Sequence, residues 1–166
     1  MSVATIALPD AAATEAAGAR LAPALAGGTV ITLSGDLGTG KTTLVRGLLR
    51  ALGWKGAVKS PTYTVVECYE FSSLYFYHFD FYRFEDAGEW DTAGLAENFR
   101  DDAVCVIEWP ERVASRLPEA DLALSFELPP DVLAPGRTLA IVAHTGAGER
   151  CLQAMQGDSG AFRPKA

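Results

Sequence analysis

The sequence predicts an α/β fold in which parallel and antiparallel strands share one sheet. Three observations carry this reading. Two short apolar runs, one around Ile31 and one around Val106, are too brief for helices and read as buried strands. A long alternating stretch from Tyr63 to Tyr82 reads as an antiparallel hairpin. A glycine-rich loop joins the first buried run to an amphipathic helix, which makes a strand–loop–helix unit.

Taken in order, Thr5 to Leu8 is expected to form a short edge strand, and Asp10 to cap an alanine-rich helix over Ala11 to Leu25. Gly27-Gly28 stops that helix, and Thr29 to Leu33 is the first buried strand. The loop Gly35 to Gly40 leads into a helix over Lys41 to Leu52, which Gly53 ends. The hairpin pairs Tyr63–Phe71 with Leu74–Tyr82 around the turn Ser72-Ser73. Its second strand sets Phe76, His78, Asp80 and Tyr82 on one face and Tyr75, Tyr77, Phe79 and Phe81 on the other. Glu85 to Phe99 holds one or two short helices, and Ala103 to Glu108 is the second buried strand. Leu122–Leu128 and Arg137–Ala143 read as a further strand pair, and Glu149–Gln156 as a last short helix.

A chain of 166 residues suits one domain, here 1–157, with a flexible tail over 158–166. Apolar residues at 49% and charged residues at 21% are ordinary for a globular protein, so the core needs no staples. The three cysteines, Cys68, Cys105 and Cys151, form no CxxC pair, and a reducing cytoplasm suits them better than a disulfide framework. No signal peptide or bilayer-length apolar run is evident, so a cytoplasmic location is expected. A net charge of −7 without a basic stripe argues against unaided binding of nucleic acid, whose affinity comes largely from Lys and Arg neutralising phosphates.

Gly35-Asp36-Leu37-Gly38-Thr39-Gly40-Lys41-Thr42 satisfies G-x-x-x-x-G-K-[ST], the phosphate loop of P-loop NTPases. Glycine permits backbone conformations that turn N–H groups inward, and the following helix presents its positive end to the same anion. On this reading Asp36, Leu37, Gly38, Thr39, Gly40, Lys41, Thr42 and Thr43 bind ATP. Lys41 reaches the β- and γ-phosphates, Thr42 ligates Mg2+, and Thr43 helps to hold the α-phosphate. Such a loop needs an acid from a second strand for the metal. Val104-Cys105-Val106-Ile107-Glu108 ends in one, although the usual residue is Asp; an ordinary core strand ending in a solvated Glu would read the same way.

Thr62, in Lys59-Ser60-Pro61-Thr62-Tyr63, stands where P-loop switch proteins keep a mobile loop that senses the γ-phosphate or completes the metal shell. A plain Ser-Pro turn opening a strand is the other reading. Asp80 is a carboxylate within an aromatic strand, costly to bury without a role. It is a candidate to orient the attacking water or the metal's water, the alternative being a structural pair with Arg83 or His78; His78 itself reads as structural.

The order GDLGTGKTT, KSPTYTVVE, YHFDFYR and VIEWPER resembles the bacterial tRNA threonylcarbamoyladenosine biosynthesis ATPase family, TsaE (also called YjeE), clearly from Ile6 to Arg112 and loosely beyond. The resemblance implies a small P-loop fold, three-layer α/β/α, with a central mixed sheet and helices on both faces. It implies an ATPase that works with two partner proteins, TsaD and TsaB, in modifying adenosine 37 of tRNA, the tRNA being held mainly by the partners. The absence of an obvious arginine finger or water-positioning Gln in the sequence predicts slow turnover alone and activation on assembly. Matched by motif, Lys41 is the phosphate lysine and Thr42 and Glu108 are the magnesium pair. Thr62 and Asp80 fall on positions important for hydrolysis, and adenine contacts come partly from the segment near Asp10 to Thr14.

The main rival is a small-molecule kinase built on the same loop. It normally needs an arginine-rich lid, and Arg112, Arg116 and Arg137 form no cluster in the sequence. A GTP switch lacks its N-K-x-D run here. A nucleotide-sensing module without useful hydrolysis is compatible with the same residues.

Overall fold

The computed structural model describes residues 1–131 and 133–156, so the tail expected over 158–166 lies outside the described residues. In chain order the elements are β1 (Ser2–Leu8), α1 (Ala11–Leu21), β2 (Val30–Ser34), α2 (Lys41–Ala51), β3 (Val66–Glu70), β4 (Tyr75–Asp80), α3 (Gly88–Ala93), β5 (Ala103–Glu108), β6 (Leu122–Glu127), β7 (Arg137–Ala143) and α4 (Gly146–Gln156). The seven strands form one sheet in the order β1-β7-β6-β2-β5-β4-β3. Its centre is parallel, with β2 between β5 and β6 and β4 beside β5. The margins are antiparallel, where β3 pairs with β4, β7 with β6, and β1 with β7.

Each face of the sheet carries its own core. On one, α1, α2 and α4 bury Ala17, Leu21, Leu44, Leu48, Leu152 and Met155 against Ile31, Leu33, Phe76, Val104 and Val106. On the other, Tyr77, Phe79, Phe81, Cys105 and Ile107 pack with Phe84, Trp90 and Leu95. The three-layer α/β/α fold with a mixed sheet and a hairpin is therefore present. The period-two expectation for the hairpin also holds, since Phe76 and Phe79 belong to opposite cores.

Several boundaries move, for local reasons. The first helix ends at Leu21 and tightens into a 3₁₀ turn over Ala22–Ala24, because Pro23 has no N–H to continue the ladder. Asp10 does cap α1, accepting from Ala13 N at 2.8 Å. The edge strand is longer than expected, since β7 supplies a partner along all of Ser2 to Leu8. The first hairpin strand starts at Val66, not Tyr63. Pro61 to Val65 forms a turn closed by Val65 N donating to Pro61 O at 2.7 Å, with Val65 in the left-handed region at φ 70°. The last helix starts at Gly146, where the Thr145 hydroxyl accepts from Gly148 N at 3.1 Å.

The helices α1 and α2 cross with two glycines at the contact. A Cβ on Gly18 would run into the Leu44 carbonyl, and one on Gly47 into the Glu15 carbonyl. This close approach fixes the glycine-rich loop ahead of α2 beside the start of α1.

Candidate functional site

The loop after β2 turns through positive φ at Gly35 (145°), Gly38 (76°) and Gly40 (114°) before α2 begins at Lys41. A Cβ at Gly40 would crowd Thr14 Cγ2 at 3.3 Å, so this glycine also serves the approach to α1. The Thr39 hydroxyl donates to Asp36 O at 2.8 Å and braces the bend. Lys41 is only 5% exposed. Its ammonium donates to the carbonyls of Gly35 and Asp36, the latter at 3.1 Å, and lies 4.2 Å from the centroid of the Trp109 ring. Burial pushes its pKa down, opposed by the charges of Glu108 and Asp80.

The acidic residues reach this loop through sheet geometry. Parallel register sets Glu108 opposite both Leu33 of β2 and Asp80 of β4, so the ends of three strands are level. Alternation then puts His78, Asp80 and Glu108 on the face that α2 covers, since Phe76, Val104 and Val106 lie in that core. Glu108 Oε2 accepts from the Thr42 hydroxyl at 3.1 Å and stands 2.6 Å from His78 Nε2. Asp80 Oδ1 accepts from Tyr82 N at 2.9 Å and Oδ2 from the Thr62 hydroxyl at 3.3 Å. Burial raises the pKa of Asp80, and its bond from the Tyr82 amide works against the rise.

These residues line one cleft of about 300 Å³, walled by Leu37 to Thr43 with Ser60, Thr62, Asp80, Glu108 and Trp109. A second cleft of about 250 Å³ opens on the other flank of the same loop. It shares Gly38, Thr39, Gly40 and Thr43 and is completed by Leu8 to Ala11, Thr14, Gly136 and Arg137. Turned amides, a buried ammonium and a helix start suit an anion such as a polyphosphate. Thr42 and Glu108 offer the hard oxygen donors that a cation of the magnesium type takes. Among the described residues no group of three His, Cys, Asp or Glu side chains could hold a metal ion. The remainder of a cation's shell would come from phosphate and water, which suits magnesium.

The structure thus brings Gly38 to Thr43, Thr62, Asp80 and Glu108 together. Asp36 contributes its backbone carbonyl, and Leu37 stands on the rim at 65% exposure. The hydrogen bonds of Asp80 run to Thr62 and Tyr82 and not to Arg83, which stacks over Tyr63 at 4.1 Å. Two residues carry more than their sequence reading. His78 is bonded to Glu108; its period-two place with Asp80 was the available signal. Arg137 lines the second cleft, a long-range placement that no local pattern announces. No helix among the described residues is long and apolar enough to cross a membrane.

Fold and loop define the protein as a three-layer α/β protein with the phosphate-loop motif between its central strand and the next helix. A family model described as threonylcarbamoyl adenosine biosynthesis protein TsaE matches residues 8–139. The chain belongs to the TsaE family. It is 42% identical over 125 residues to the tRNA threonylcarbamoyladenosine biosynthesis protein TsaE of Haemophilus influenzae, covering 75% of this chain and 77% of the relative. The protein of the same name from Streptomyces coelicolor is 38% identical over 139 residues, covering 80% and 90%. The crystal structure of Bacillus subtilis YdiB superposes with a TM-score of 0.79 at 26% identity, over 95% of this chain and 97% of the other.

Proposed function

We propose that the chain is the Mg2+-dependent, ATP-binding and ATP-hydrolysing subunit of the tRNA threonylcarbamoyladenosine machinery, acting on the TsaD–TsaB pair to sustain turnover. The observation that carries the reading is the convergence of Lys41, Thr42, Thr62, Asp80 and Glu108 on a single cleft beside the glycine-rich loop. The amides from Gly38 to Thr43 and the start of α2 bind phosphate, and Lys41 sets its charge against the terminal groups. Thr42 and Glu108 hold the cation, which when bound draws charge from the phosphates of the nucleotide. Asp80 orients water, and Thr62 holds the carboxylate oxygen that does so at 3.3 Å.

No arginine lines this cleft among the described residues. A phosphoryl-transfer site without one lacks a large part of its charge stabilisation, which motivates slow turnover alone and stimulation on assembly. The net charge of −7 supports a division of labour in which tRNA is held mainly through the partners. The test is ATP hydrolysis by the purified chain with and without TsaD–TsaB from the same source, with Lys41→Ala as control. Stimulation that Lys41→Ala abolishes is expected. Equal rates with and without the pair would sink the assembly-gated reading.

A further inference from the structure

We propose that Arg83 is a positioning residue for ATP hydrolysis, whose stack on Tyr63 latches the turn from Pro61 to Val65 and so keeps the Thr62 hydroxyl on the Asp80 carboxylate. The inference rests on the roles proposed above for Thr62 and Asp80, and assigns the group that holds the two together. The guanidinium carbon of Arg83 lies 4.1 Å from the centroid of the Tyr63 ring. Both residues are exposed, Tyr63 at 79%. Among the described residues Arg83 forms no ion pair, so the aromatic face is what holds its cation.

The turn needs a latch because its own backbone works against it. Val65 is β-branched and sits in the left-handed region at φ 70°, a conformation such residues avoid unless their surroundings impose it. The period-two pattern of Tyr63, Val65, Glu67 and Tyr69 favours the alternative, an extended chain that would lengthen β3 backward. The register of β3 on β4, with Val66 opposite Phe79, would then set Val65 opposite Asp80. Thr62 would lie three residues further along, about 10 Å from that position. The turn is therefore the conformation that brings Thr62 to Asp80, and the strand is its competitor.

The contacts that favour the turn come from the end of β4 and the residues after it. Asp80 N donates to Val65 O at 2.9 Å, while Val65 N closes the turn on Pro61 O at 2.7 Å. The Thr62 hydroxyl reaches Asp80 Oδ2 at 3.3 Å and lies 2.7 Å from the Ser60 hydroxyl. At 3.3 Å the bond to Asp80 is long for two oxygens, so it does not hold the turn by itself. Tyr63 directly follows Thr62, and Arg83 stands three residues after Asp80. Their stack thus ties together the two segments whose side chains must meet. A planar guanidinium suits this task, because it lies flat on a ring while its edge stays hydrated.

The test measures ATP hydrolysis with TsaD–TsaB present, varying first ATP and then the pair, for the wild type, Arg83→Ala, Arg83→Lys, Tyr63→Leu, Tyr63→Phe and the double variant Arg83→Ala/Tyr63→Leu. Arg83→Ala and Tyr63→Leu should each lower kcat about two- to fivefold, the scale of an exposed cation–π contact. The KM for ATP and the concentration of the pair that gives half-maximal stimulation should stay at the wild-type level, which also shows that the variants are folded. Tyr63→Phe keeps the ring and should match the wild type, and Arg83→Lys keeps the cation and should recover part of the loss. The double variant should be no slower than either single one, because one contact is lost in all three. Wild-type kcat in Arg83→Ala, with Asp80→Ala impaired, would overturn the latch and leave the hydrolysis reading standing. Losses that multiply in the double variant would overturn it by showing two separate roles. A raised half-stimulating concentration at unchanged kcat would overturn it in favour of a contact with the partners. Wild-type turnover by Asp80→Ala would take both readings down.

Discussion

His78 Nε2 lies 2.6 Å from Oε2 of Glu108, with both side chains buried, and the same oxygen accepts from the Thr42 hydroxyl at 3.1 Å. A carboxylate with two donors on one oxygen is held in one orientation. Groups that orient a metal-binding carboxylate typically contribute tenfold to hundredfold to cation affinity. His78→Leu should therefore weaken the Mg2+-dependent part of ATP binding by about tenfold or more. His78→Gln, which keeps a donor, should recover part of it. Titration of a fluorescent ATP analogue with and without Mg2+ separates the terms, and an equal loss in both would mark His78 as a packing residue.

Asp80 makes the native state sensitive to pH. Burial raises its pKa above the ordinary carboxylate value, so the folded protein binds this proton more tightly than the unfolded chain. Its favourable contribution is complete below the ordinary value and is lost as pH rises through the raised one. At neutral pH the ionised carboxylate therefore costs stability. Asp80→Asn keeps an oxygen for the Tyr82 amide and should melt at a higher temperature than the wild type at pH 7. That margin should shrink as pH falls toward about 4. A variant that melts below the wild type at pH 7 would contradict this account.

Much of the fold is legible because its signals are local. Buried runs, the capping Asp10, and the alternation that separates Phe76 from Phe79 are each set within a few residues. The limits of the elements are less so. β1 runs back to Ser2 only because β7 pairs with it, and the first hairpin strand loses Tyr63 to a turn that Val65 closes at positive φ. The site divides in the same way. The loop and its acids follow from motif and period, whereas the Asp80–Glu108 register depends on β4 and β5 being neighbours. Arg137 reaches Gly38 across 99 positions of sequence, a relation set by the sheet, in which β6 alone stands between β7 and the strand β2 that the loop follows.

Lys41 and Asp80 line the same cleft yet should fail differently. Lys41→Ala removes the cation held under the loop and should weaken ATP binding by about tenfold or more. Asp80→Ala leaves the amides, Lys41 and Thr42 in place, so binding should remain within a few fold of the wild type. Its partner-stimulated hydrolysis should fall by about a hundredfold, the lower range for loss of a group that positions or deprotonates water. Binding isotherms and rates measured on the same preparations make the comparison. Wild-type turnover by Asp80→Ala would remove the residue from the mechanism.

Gly47→Ala sets two opposed effects against each other. Alanine is the better helix former by about 1 kcal/mol, and Gly47 lies within α2, so propensity alone predicts a gain. A Cβ at this position, however, meets the carbonyl, carbon and Cα of Glu15, all backbone atoms of α1. No rotamer change can relieve that contact, and the helices must separate. Overpacking of this kind costs about 1–3 kcal/mol and can cost more when backbone must move. The steric effect should win, lowering the melting temperature by about 2–4 °C for each kcal/mol lost in a chain of this size. The same displacement moves Thr14 of α1 away from Gly40 of the loop, where the pair approach closely. ATP binding should weaken as well, because the cleft on that flank of the loop has α1 as a wall. A melting temperature at or above that of the wild type would show that propensity, not packing, governs the α1–α2 contact.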